Sequence, residues 1–106
     1  MKDLPLEELD FSVFAQWVNA SFLVRTETGE TLELVLAEAR PAPEAGPATA
    51  PATSFSLIFH GPDRLLLPQA IRTLEREGVG RFALFLVPIG RRPGRFEYQA
   101  VFNRAG

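Results

Sequence analysis

The sequence predicts a mainly β chain of the α+β class: a small antiparallel β-barrel or sandwich of about six strands, with one N-terminal helix closing an end. Three observations lead there. Short stretches alternating apolar and polar residues recur from residue 21 onward. The cleanest is Arg95–Asn103, where Phe96, Tyr98, Ala100 and Phe102 alternate with Glu97, Gln99, Val101 and Asn103. Turn-forming Gly, Pro and Asp separate most of these stretches at short intervals. Helical spacing is confined to residues 5–19. Each amphipathic strand must bury one face, and a chain of 106 residues does so around one core, hence a single domain.

The helix rests on Leu6, Leu9, Val13 and Trp17, with Phe11, Phe14 and Val18 beside them. Glu7, Glu8 and Asp10 lie in the early turns, where the helix dipole favours negative charge. Asp10 offers a later start as an N-cap, and Asn19 an end, because Asn tolerates left-handed backbone. Ser21–Thr26 is the first strand, with Phe22 and Val24 on one face. A turn at Thr28-Gly29-Glu30 leads into Thr31–Ala39, where Leu32, Leu34 and Leu36 share a face, and the two make a hairpin.

Residues 41–53 hold four of the nine prolines and no large apolar residue, so they predict an exposed, extended, flexible loop. Without a P-x-x-P flanked by basic residues, the segment reads as a plain loop, not a Pro-rich ligand. Ser54–His60 is a strand with Phe55, Leu57 and Phe59 on one face, ended by Gly61-Pro62-Asp63. Leu65–Gln69 is apolar but interrupted by Pro68, a loop or an edge. Ala70–Glu75 reads as a strand with Ile71 and Thr73 on one face and Leu74 on the other. A helix over 68–77 is the rival reading, since Pro68 suits a first helical position. Arg81–Ile89 and Arg95–Asn103 follow, joined by a turn at 90–94. The longest apolar run, Phe82–Ile89, has the length and composition of a buried strand and falls far short of the ~20 residues that span a bilayer.

Composition removes several chemistries. There is no cysteine, so disulfides and thiolate chemistry are out, and one histidine rules out multi-histidine metal sites. The N-terminus carries acids at once and has no apolar segment of signal type, so the cytoplasm, or a particle assembled there, is the expected location. Ser54 or Ser56 with His60 and Asp63 is a poor nucleophile triad. Ser56 and His60 lie on one predicted strand, about 13 Å apart at about 3.3 Å per residue. No phosphate loop or dinucleotide fingerprint is present. No catalytic residue, metal ligand or cofactor is expected.

Charge is uneven. Residues 1–60 carry three basic and nine acidic groups, and residues 61–106 carry eight and four. Arg91, Arg92 and Arg95 gather in one turn, with Arg104 at the end of the paired strand. Such arginines suit carboxylate or phosphate contacts. A single-stranded nucleic-acid reading would add Phe96 and Tyr98 as stacking platforms, but a net charge of −2 argues against it. The two halves could also meet head to tail between copies, building an oligomer or filament. The leading reading is a non-enzymatic structural or protein-interaction module. Its contacts would use the apolar loop Leu65, Leu66, Leu67 and Gln69, a free strand edge, or the Arg91, Arg92, Arg95 turn. The rival is a ligand-binding barrel in which Gln69, His60 and Tyr98 converge.

Taken together, the segments Phe55–Pro62, Leu67-Pro68-Gln69, Leu84–Gly90 and Tyr98–Asn103 resemble a family of small bacterial proteins classed as a domain of unknown function. The resemblance covers nearly the whole chain, although members usually carry an aromatic residue at the position of Ile71. It implies no activity and no site residues. Members tend to be encoded near phage-tail-collar-like, fibre-type proteins, which implies an accessory or structural role with a tail-fibre-like partner.

Overall fold

The computed structural model describes residues 1–41 and 54–103. Apart from Pro41, the expected loop 41–53 lies outside the described residues, as does Arg104. No described helix is long and apolar enough to cross a membrane.

The N-terminal helix is shorter than its spacing predicts. Leu6–Glu8 form a single 3-10 turn, and α1 runs only from Phe11 to Gln16. Pro5 and Leu9 are extended on either side of the turn. Asp10 imposes the later start: its carboxylate accepts the Val13 N–H at 3.0 Å and takes up a donor that the first helical turn leaves unpaired. Extended backbone at Leu9 lets that side chain reach the core. Asn19 takes the expected left-handed backbone, φ 77°, but the helix ends earlier, at Gln16, and residues 17–19 form a turn.

Six strands follow: β1 (Ser21–Arg25), β2 (Thr31–Pro41), β3 (Ser54–Pro62), β4 (Ala70–Arg76), β5 (Gly80–Arg92) and β6 (Arg95–Asn103). They close into a barrel in the order β1-β2-β3-β6-β5-β4, with every pair of neighbours antiparallel. The helix alternative over 68–77 fails because Arg72 and Leu74 face inward while Ile71 and Thr73 face out, a period of two.

Two expected turns are strand instead. β3 continues through Gly61 and Pro62, which pair with Phe96 and Arg95. Gly61 faces the interior, where a Cβ would stand 2.7 Å from Leu34 Cδ2 and 3.1 Å from the Tyr98 ring, so the missing side chain is what lets the strand pass. β5 runs on to Arg92, leaving Pro93-Gly94 as the hairpin turn, with a bulge between Pro88 and Gly90.

The inward faces fill the barrel. Phe22, Leu34, Leu57, Phe59, Leu84 and Tyr98 are all buried. Phe14 of α1 closes one end, its ring 5.5–5.9 Å from those of Trp17, Phe55, Phe82 and Phe102. The β5–β6 register stops at Val87–Gln99. Beyond it, the N-terminal segment takes over the β5 edge: Arg81 N–H bonds to Lys2 O and Leu4 N–H to Arg81 O, both at 2.8 Å. Among the described residues the barrel is closed and no strand is the expected free edge along its whole length, although β1 and β4 pair only at Leu23↔Glu75 and Val24↔Leu74.

Candidate interaction site

The three residues expected to converge on a pocket are dispersed. Tyr98 points into the barrel and is fully buried; its hydroxyl accepts the Leu67 N–H at 3.0 Å. His60 faces outward from β3, and Gln69 is exposed in the loop before β4. Among the described residues they do not share a hollow: Tyr98 points into the barrel and His60 out of it. The same burial removes Tyr98 as a base-stacking platform. Phe96 is half-buried, with the Arg91 guanidinium 5.6 Å from its ring centroid.

The apolar loop is partly core. Leu67 is buried and Leu65 half-buried, while Leu66 and Gln69 are exposed. The bond to Tyr98 draws Leu67 inward, so Leu67 belongs to the packing and not to a contact surface.

The arginine turn builds a real cluster. Glu97, outward on β6, is the centre. His60 Nε2 lies 3.2 Å from its Oε2, Arg92 Nε 3.3 Å from its Oε1, and an Arg95 terminal nitrogen 3.9 Å from Oε2. The pairing His60↔Glu97 across β3 and β6 places the first contact, and the β5 bulge brings Arg92 round to the second. Burial works to raise the Glu97 pKa, but the Arg92 hydrogen bond and the charges of Arg92, His60 and Arg95 outweigh it and hold the carboxyl below its ordinary value. His60 therefore takes Glu97 as partner, not Ser56 or Asp63. The cluster sits on a hollow of about 560 Å³ on the outer barrel wall, with Val35, Ile58 and Ile89 as its apolar lining. A larger hollow of about 770 Å³ lies by the N-terminus, where Glu33, Glu75 and Glu77 stand beside Lys2, Arg76 and the amino-terminal residue.

A second surface went unread in the sequence. The run Phe82–Ile89 looks buried throughout, yet the strand is one-sided: Phe82, Leu84 and Leu86 face in and Phe85 faces out, 52% exposed. Its cross-strand partner Ile71 is 73% exposed. In the next outward row Thr73 pairs with Ala83, so these two rows carry no charge, while Ile71 and Thr73 also border a hollow lined by Arg25, Glu27 and Glu75. The alternation of Ile71 and Thr73 was the available signal, but composition alone hides which face of an apolar run meets water.

Much of the charge asymmetry is settled inside one chain. Arg81 pairs with Asp3, Arg64 with Glu30, and Arg72 with Glu27 at 2.6 Å, each joining the basic half to the acidic half. Among the described residues there is no cluster of three or more His, Cys, Asp or Glu placed to hold a metal ion.

Comparison with curated proteins and with solved structures returns no match. Residues 9–102 match a family profile described as a domain of unknown function, DUF6916. That span takes in α1, β1 to β5 and all but the last residue of β6. The chain thus belongs to the DUF6916 family.

Proposed function

We propose that the chain is a non-enzymatic protein-docking barrel that presents the Ile71–Phe85 wall to an apolar surface of a partner protein. One observation carries this reading: two large apolar side chains stand paired and exposed beside an uncharged Thr73–Ala83 row, while the barrel interior is filled. A packed interior leaves the outer surface for recognition, and an exposed apolar pair rimmed by polar and charged side chains is the kind of surface a protein partner covers. The family resemblance makes a fibre-type, tail-collar-like protein the first partner to test, in an accessory or assembly role.

The test is co-expression with that partner, comparing the wild type with an Ile71→Ser, Phe85→Ser double variant. Both positions face solvent, so the variant is expected to fold. A complex seen by light scattering with the wild type and lost in the variant supports the reading. A self-associating wild type whose assembly the variant abolishes would move the same wall to a homo-oligomer. A strictly monomeric wild type that forms no complex would overturn the docking role.

A further inference from the structure

The hollow around Glu97 has more donors than its own acids can use. Glu97 has one oxygen on Arg92 and the other on His60. Arg95 stands 3.9 Å away, outside hydrogen-bond distance, with its side chain 45% exposed. Arg40 pairs with Glu38 at the other end and also feels the charge of Glu97. Three guanidiniums and an imidazole thus share two carboxylates, leaving at least one positive charge and several N–H groups turned toward the hollow. Beside the charged cluster, Val35, Ala37, Ile58 and Ile89 give the hollow an aliphatic lining, of which Ile89 is the most exposed to solvent. Ile58 points outward from β3 yet is only 7% exposed.

We infer that this hollow binds an acidic residue of an extended peptide, with the carboxylate on Arg95 and Arg92 and a neighbouring aliphatic side chain against Ile89. Its lining comes from the outer faces of four adjacent strands, β2, β3, β6 and β5. Three strand spacings of about 4.8 Å make a path of roughly 14 Å, the length of about four extended residues. A single small acid would engage one end of it. The inference rests on the docking reading and names the chemistry of a second partner contact, but it uses none of the residues of the apolar wall.

The test is a titration of the isotopically labelled full chain, followed by NMR. The probes are a short peptide of alternating Glu and Val, the same peptide with Gln for Glu, and 3-methylbutanoate. The acidic peptide is expected to shift the Arg95, His60 and Ile89 signals. The Gln peptide should bind at least about tenfold more weakly, which corresponds to about 1.4 kcal/mol. Arg95→Gln should weaken the acidic peptide at least about tenfold, near the lower end of what a hydrogen bond to a charged group contributes. Arg91→Gln, whose guanidinium sits over Phe96, should leave it unchanged. Equal binding of the two peptides, no binding of either, shifts mapping to another wall, or wild-type affinity in Arg95→Gln would each overturn the inference. Binding of the small acid without the peptide would overturn the peptide assignment. The two proposals fail separately: Ile71→Ser, Phe85→Ser should keep peptide binding, and Arg95→Gln should keep the wall.

Discussion

Tyr98 carries a hydroxyl into the barrel interior, where it ties the loop before β4 to β6 through the Leu67 N–H. Both residues are buried, so Tyr98→Phe strands a donor away from water. Chemical denaturation should register a loss of about 1–3 kcal/mol. Burial raises the phenol above its ordinary 10.0, against the opposing pull of the Leu67 bond and Arg72. The folded chain therefore keeps this proton to higher pH than the unfolded one. Its contribution is complete below pH 10.0 and is lost as pH rises through the folded value. Tyr98→Phe should flatten that alkaline fall, and an unchanged slope would exclude Tyr98 as its source. Gly61 is legible in the sequence as a turn residue, yet it acts here as a gap for the Tyr98 ring. Nothing in the local pattern distinguishes the two uses, because the ring belongs to a strand more than thirty residues away.

At the scale of elements, the N-terminal segment depends on one glycine. Gly80 has φ +130°, and a Cβ there would meet the Lys2 carbonyl oxygen at 2.6 Å and Leu4 at 3.1 Å. Gly80→Ala should push residues 2–4 off β5, seen as faster amide exchange at Leu4, whose N–H bonds to Arg81. Unchanged protection at Leu4 would show that the segment tolerates the methyl. Asp10→Ala removes the cap of a six-residue helix and should cost about 1 kcal/mol in thermal or chemical unfolding. Asp10 was visible as an alternative start. What the spacing could not decide was between it and the longer helix, since Leu6 and Leu9 fit both. Leu9 goes into the core in extended form, and that packing together with the Asp10 cap, not the propensity, chose.

For the whole molecule, ion pairs bind the acidic first half to the basic second half. Asp3 is held below its ordinary pKa by the Arg81 hydrogen bond and charge, and Glu27 by its own backbone N–H and by Arg72. Depressed carboxylates stabilise the fold above their ordinary values, 3.8 for Asp3 and 4.5 for Glu27, and lose that contribution as pH falls through the folded values. The melting temperature should therefore drop on acidification into that range, and less so in an Asp3→Asn, Glu27→Gln variant. Parallel curves would show that these exposed pairs contribute nothing measurable, the usual outcome for isolated surface pairs. The alternation of Phe55, Leu57 and Phe59, of Leu32, Leu34 and Leu36, and of Tyr98, Ala100 and Phe102 determined by itself that these faces turn inward. A period-two pattern has one way to hide its apolar set. The class of fold followed, as did the basic character of the β5–β6 turn. Closure of the sheet, the pairing of His60 with Glu97, and the exposure of Phe85 beside Ile71 were decided only in three dimensions. Each depends on which strand lies next to which, and pairing across distant residues leaves no trace in local spacing.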